Sequence, residues 1–375
     1  MIGRLIVEEV ESSLSNEEFI RLPRELYRKE PFWVPPFLRD ERNFHDPGRN
    51  PMLSKCTTVL FIARLDEKAV GRIMGIIHEE HNRKHDERTA RFFKMECTDD
   101  HEVAALLLEA VENWARSHGM NRVIGPFGFS DKDPQGLQIE GFDHLPVIAA
   151  PANPKYLPGL ITAAGYVKYL DCVSYLLDIP PIVPARMKVV AERARRGTNI
   201  RLLSFQSRRD LKPWIVPVLR LVNATYKGIF GFMPLSEEEM YALARQYLPV
   251  LDPEFTKLIV DAGDRPVAFV IAMPDISRGI QRAGGKLFPL GFLYILSEQR
   301  KSRRLVTLLG AVKEGWEGRG LTAWLGEELL ESAKSRGMKD IDSHLILEQN
   351  VRMRGVMEKF GGRLYKRFRI YQKNI

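Results

Sequence analysis

Two stretches of the chain alternate between apolar and polar positions in the same way. Residues 59–77 read VLFIARLDEKAVGRIMGII, and residues 257–273 read KLIVDAGDRPVAFVIAM. Each is a β-type run, a polar turn and a second β-type run, which predicts a hairpin. A second pair matches more literally: ENWARSHGMNRVIG (112–125) against LESAKSRGMKDIDS (330–343). Both predict a helix ended by glycine, at Gly119 and at Gly337, followed by an apolar strand. A third pair closes each copy. LITAAGYVKYLDCVSYLLDI (160–179) and VMEKFGGRLYKRFRIYQKNI (356–375) each predict a short helix, a glycine and an alternating strand.

The chain therefore reads as one α/β unit in tandem: hairpin, strand, helix, strand, helix, strand. The division predicted is residues 1–180 and 181–375, with PPIVPA (180–185) as the linker. The copies differ in their insertions. The second is longer between its hairpin and its glycine-capped helix. The first carries a Gly-, Pro- and Asp-rich excursion, residues 125–156, that predicts an ordered functional loop.

A sharper difference lies at the start of the long helix in each half. The second half has KEGWEGRGLTAW (313–324), with Gly315, Gly318 and Gly320 between an apolar strand, Leu305–Val312, and a helix. Glycines there let backbone N–H groups and the positive end of the helix converge on an anion such as a pyrophosphate. Aligned on Gly119 and Gly337, the first half sets Asp100 against Gly318 and Glu102 against Gly320. Asp99 and Asp100 are good N-caps and would repel a phosphate. An anion cradle is expected in the second half and not in the first.

Composition narrows the class. At 375 residues, 45% hydrophobic and 28% charged, the chain reads as a globular protein of two domains. No apolar run reaches the length of a membrane span. The first residues lack an apolar core and a small-residue cleavage site, and three scattered cysteines argue against a disulfide framework, so the cytoplasm is expected. The net charge of +8 gathers in residues 185–201, 299–304 and 362–373. No nucleic-acid motif accompanies it, and no specific nucleic acid is expected. No metal is expected either. HEEHNRKH brings His78, His81 and His85 to one helical face, but Arg83 and Lys84 precede the last histidine where a zinc helix has its pattern. Asp131 and Asp133 lack the spacing of a calcium loop.

The second half resembles a Gcn5-related N-acetyltransferase (GNAT) domain, whose loop motif is Gln/Arg-x-x-Gly-x-Gly/Ala at the head of the long helix. Glu317, Gly318, Arg319, Gly320, Leu321 and Thr322 hold those places; Glu317 and Thr322 depart from the pattern. LEQNVRMRGVMEKFGGRLY (347–365) is similar to the family's second marker, through Asn350, Glu358, Lys359, Phe360 and Gly361. Met357 stands at the tyrosine that often protonates the leaving thiolate. From residue 30 onward the chain resembles the YghO-like subgroup of bacterial acyl-CoA N-acyltransferase-like proteins, through FWVPPFLRDERNFHDPGRNP (32–51), GFMPLSEEE (231–239) and residues 345–373.

That resemblance implies two GNAT-like units, each a mixed, mostly antiparallel sheet flanked by helices. It implies acetyl-CoA or another acyl-CoA as co-substrate and a small-molecule or lipid amine as acceptor. Gly318, Arg319, Gly320, Leu321, Thr322 and Asn350 would hold the cofactor, and a backbone N–H near Ala311 or Val312 would polarise the thioester carbonyl. Arg319, Arg303 and Arg304 are available to offset Glu317. His344 and Glu348, at even spacing on one strand face, are candidate bases. Either another group, such as Tyr365 or Tyr371, would take the missing tyrosine's place, or the thiolate would leave unaided. Asn153, Tyr156, Asn223 and Tyr226 are candidates to line the acceptor groove between the halves. The acyl group is acetyl or longer. Two alternatives stay open: a degenerate GNAT fold that binds without turnover, and long-chain acyl transfer to a lipid amine.

Overall fold

The computed structural model describes residues 3–196, 199–248 and 251–375. Both hairpins form, over Thr57–Leu65 with Lys68–Ile77 and over Thr256–Asp261 with Pro266–Pro274. Each is followed by a third strand, Thr89–Cys97 or Arg304–Val312, and a long helix, His101–Ser117 or Leu321–Ser335. Both helices end as expected. Gly119 and Gly337 take positive φ, and the amides of Met120 and Met338 reach back to the carbonyls of Ala115 and Ala333.

The helix starts do not align as the sequence comparison set them. The caps are Asp100 and Gly320, because the second helix has 15 residues and the first 17. Anchoring on the C-terminal glycines thus misplaced the N-terminus by two residues.

Among the described residues, all strands join one 14-stranded sheet. Its centre holds an exchange. The first half's closing strand, Val167–Asp178, pairs with Asp340–Asp342 of the second half. The second half's closing strand, Arg363–Asn374, pairs with Arg122–Gly125 of the first. The two closing strands pair antiparallel with each other, Arg367 opposite Val173 and Phe368 opposite Cys172. Each half's sheet is therefore completed by a strand of the other.

Helices cover both faces. In the first half His101–Ser117 packs Val103, Leu107, Leu108 and Val111 on one side, and Ser13–Leu26 packs Phe19 and Leu22 on the other. In the second, Leu321–Ser335 and Arg208–Thr225 take those places. The longer insertion of the second half forms two helices, Ser277–Arg282 and Gly291–Lys301.

Candidate active site

In each half the third strand runs parallel to the next strand for three residue pairs and then leaves it. In the second half the pairs are Arg304–Asp340, Leu305–Ile341 and Val306–Asp342. In the first they are Thr89–Arg122, Ala90–Val123 and Arg91–Ile124. A register shift opposite Ile271 and Ala272, and another opposite Arg72 to Met74, put a β-irregularity in the corresponding strand pair of each half. The fold thus makes two equivalent clefts.

The first cleft is filled. Arg91 sends its guanidinium to the carbonyls of Gly128 and Phe129, at 2.9 and 2.8 Å, and lies over the Phe127 ring. Lys94 bonds Glu41 at 2.6 Å, while Arg72 bonds Glu96 at 2.6 Å. Asp133 accepts from the amides of Phe129 and Ser130 and so shapes the plugging loop. The strand Thr89–Cys97 is buried along nearly its whole length.

The second cleft is open. From Thr307 to Val312 every residue is solvent-accessible, although the strand lies inside the sheet. Lys313 N–H bonds Val267 on the neighbouring hairpin strand. Antiparallel alternation then turns Ala311 to that neighbour as well, and turns the polar groups of Gly310 and Val312 to the open side. Of the two amides expected to polarise a thioester, only that of Val312 faces the cleft. Tyr226 donates its hydroxyl to the Gly310 carbonyl at 3.1 Å, which brings this residue to the cleft edge.

The open strand runs into the glycine loop. Gly315, Gly318 and Gly320 all take positive φ. Gly320 caps the helix with no side chain, so the first helical amides, Leu321 and Thr322 among them, keep their N–H groups free of a side-chain cap. At the equivalent point Asp100 accepts from the amides of Glu102 and Val103. A side chain at Gly320 is excluded twice, by its φ of 84° and by the Val190 carbonyl 2.9 Å from where a Cβ would stand. Arg319 lies over the Trp316 ring.

Glu317 is neutralised by a residue the sequence reading overlooked. Arg352 pairs with it at 2.8 Å from the helix Val351–Lys359. Arg304 does not serve, since it is committed to Asp340 at 2.6 Å. Arg303 lends its backbone carbonyl to Lys339, and among the described residues the structure shows no tie from it to the loop.

A buried polar cluster closes the inner end of the cleft. The strand expected after Gly337 to carry His344 and Glu348 is interrupted: it runs Asp340–Asp342, and a short bridge resumes at Ile346–Leu347. His344 sits in the break with a φ of 56°, so it and Glu348 do not share a strand face. The His344 amide bonds Asp342 Oδ1 at 2.6 Å, and its Nε2 lies 2.9 Å from the Ile148 carbonyl. With Nε2–H donating to that carbonyl, Nδ1 is left as the acceptor. Burial lowers the imidazole's pKa below its usual value, which favours the neutral base.

Asp342 is fully buried, and its other oxygen accepts from the Tyr365 hydroxyl. Burial and the Asp342 charge both raise the Tyr365 pKa, so the phenol keeps its proton. Next to it Lys366 bonds the Leu145 carbonyl at 2.6 Å, and burial brings its pKa down to about 8. Leu145 and Ile148 belong to the long loop of the first half, which therefore roofs this part of the second. Neither Asp342 nor Lys366 was singled out in the sequence. Each occupies an ordinary strand position, and only its burial marks it.

The remaining candidates have other partners. Glu348 pairs with Lys168 at 2.5 Å and Arg367 at 2.6 Å, and these bonds hold its carboxyl below the usual range. Tyr371 packs in the core of the first half with Phe92 and Tyr166. Asn350 caps its helix by accepting from the Met353 amide. Asn153 clasps Gln138, Tyr156 donates to the Cys97 carbonyl, and Asn223 clasps Leu235; these bonds tie loops to the scaffold. His78 accepts from the His81 amide as a helix cap. Among the described residues no group of three or more metal-ligating side chains converges.

The exchanged closing strands, paired clefts and glycine-led helix define a tandem GNAT fold. The tandem GNAT protein of the clavulanic acid pathway superposes with a TM-score of 0.55 at 12% identity, over 99% of this chain and 98% of its own. A GNAT protein of Sphaerobacter thermophilus gives 0.50 at 14% identity, over 99% and 95%. The chain belongs to the YghO family: it is 30% identical to Protein YghO of Escherichia coli over 369 residues, 95% of this chain and 92% of the relative. It is also 28% identical to a bacterial ceramide synthase of Caulobacter vibrioides, over 99% and 98% of the two chains. No protein-family model matches. The fold class is that of acyltransferases.

Proposed function

We propose that the second half is an acyl-CoA-dependent N-acyltransferase acting on a primary amine, and that the first half serves as scaffold and roof. The observation that carries this reading is the open edge Thr307–Val312 leading into a helix start with no side-chain cap. Gly318 to Thr322 would take the pyrophosphate through backbone N–H groups. The open side of Gly310 and Val312 would hold the pantetheine arm and the thioester oxygen. Acyl-CoA supplies the activated acyl carbon. His344 Nδ1 takes the proton of the attacking amine as the C–N bond forms. The thiolate leaves as the C–S bond breaks and takes its proton from solvent, because Met357 has none to give and Tyr365 spends its single O–H on Asp342. His344 returns its proton to solvent.

A second reading concerns the acceptor. A ceramide is an N-acylated long-chain amine, and the Caulobacter relative carries that name over nearly the full length of both chains. This favours a long acyl group and a lipid amine over acetyl transfer to a small polar amine. Mass spectrometry of reactions pairing acetyl- or palmitoyl-CoA with a sphingoid base or a polyamine tests both readings. N-acylated sphingoid base from palmitoyl-CoA is the expected product. Acyl-CoA binding without any amide product would replace the enzyme by a ligand-binding protein of the same fold.

A further inference from the structure

The helix Gly291–Lys301 and the turn before it form an apolar surface with no cover among the described residues. Phe288 and Leu290 are 74% and 59% exposed, and Phe292, Leu293, Tyr294 and Leu296 follow as exposed side chains. Single exposed apolar residues are ordinary, but six within nine positions are not. The segment is not loosely attached. Ile295 packs inward with Ile280, Ile276 and Leu308, and the Gly279 backbone lies so close to Ile295 and Tyr294 that a Cβ would meet them at 2.9 Å.

Its charge is one-sided. Between residues 278 and 303 stand six cations, Arg278, Arg282, Lys286, Arg300, Lys301 and Arg303, against one carboxylate, Glu298. Arg282 faces Glu298 at 4.0 Å; the structure shows no carboxylate partner for the other five among the described residues. The helix has 11 residues, too short to span a bilayer, and none among the described residues is long and apolar enough to do so. Aromatic and aliphatic side chains on an exposed helix, edged by lysine and arginine, suit the boundary of an anionic bilayer.

The surface is also joined to the cleft. Ile295, on its inner side, shares a cluster with Leu308 of the open strand and with Ile148, whose carbonyl faces His344. Leu309, the next residue of that strand, is itself exposed.

We propose that residues 286–301 dock the protein on an anionic phospholipid surface, with the cleft mouth turned to the bilayer. The further statement that a long-chain amine enters from that bilayer rests on the acyl-transfer reading above; the docking does not.

Co-sedimentation of the full chain with vesicles tests the docking without reference to activity. Phosphatidylglycerol vesicles should pull the protein down and pure phosphatidylcholine vesicles should not. The triple variant Phe288→Ser, Leu293→Ser, Leu296→Ser should bind about tenfold more weakly or worse, with unchanged circular dichroism. The charge variant Lys286→Glu, Lys301→Glu, which leaves the apolar side chains intact, should lose the preference for anionic lipid. Equal binding to both vesicle types, no binding to either, or full binding by both variants would overturn the proposal. So would a concentration-dependent dimer in light scattering that the triple variant abolishes, since the surface would then be a contact between copies. A docked protein without acyl transfer would leave the docking standing and remove only the enzyme reading.

Discussion

The two clefts begin from the same geometry and end in opposite states. Three parallel pairs, a β-irregularity and a diverging strand occur in both. The first is occupied by its own side chains, and Asp100 takes the amides at its helix start. The second keeps its strand exposed, and Gly320 leaves the amides uncapped. A duplicated fold therefore need not duplicate a site. A few side chains at equivalent positions decide whether the splay becomes core or cleft.

The largest effect should come from breaking the plug. Glu41→Gln leaves Lys94 and Arg72 buried without their shared carboxylate, at a cost of about 3–5 kcal/mol. Urea denaturation measures it. The same group makes the first half acid-sensitive. Burial pushes the Glu41 carboxyl up, but Lys94 and Arg72 outweigh that and hold it at about 2, below its ordinary 4.5. A folded-state pKa below the unfolded one gives stability that is present above pH 4.5 and lost as pH falls toward 2. His45, brought by burial from 6.5 to about 3, acts in the same direction, with its loss running from pH 6.5 down to about 3. Stability measured from pH 7 down to pH 3 should fall throughout; a flat profile would contradict the account.

In the open cleft the expected losses are catalytic instead. His344→Ala should lower kcat by about a hundredfold or more, and Tyr365→Phe, which strips Asp342 of a donor beside it, by less, each leaving acyl-CoA affinity nearly unchanged. Glu348→Gln and Tyr371→Phe, changed beside them, should leave kcat near wild type, because one sits in an ion-pair network and the other in the first-half core. Kinetics at saturating acyl-CoA separate the two sets.

The smallest effect belongs to the glycine loop's charge. Arg352→Gln frees Glu317 to repel the pyrophosphate, and Glu317→Gln leaves Arg352 free to attract it. Each should move acyl-CoA affinity by about 0.3–1 kcal/mol, in opposite directions. Calorimetry that finds both variants unchanged would place the phosphates elsewhere.

Much of this comparison was legible in the chain, because local rules wrote it. Alternation gave both hairpins, and the C-terminal glycines of the long helices gave the repeat. The contrast of Asp100 with glycine pointed to the half whose cleft is open, although the caps align two residues from where the sequence placed them. What stayed hidden depends on contacts distant in sequence. The closing strands carry the same alternation whether they complete their own half or the other, so their exchange leaves no local mark. The bend at His344 uses positive φ in a residue that does not advertise it. Asp342 and Lys366 stand out only once buried, and Arg352 reaches Glu317 from a helix thirty-five positions away in the numbering.

The central claim is that one cleft of the two binds acyl-CoA, through the glycine-led helix start. Isothermal titration of the full chain with palmitoyl-CoA, beside the variant Gly318→Asp, tests it most directly. The account predicts one molecule bound per chain and binding weakened about tenfold or more in the variant, whose carboxylate enters open space in the loop and repels the phosphates without a steric clash. Two molecules per chain, or undiminished binding by Gly318→Asp, would contradict it.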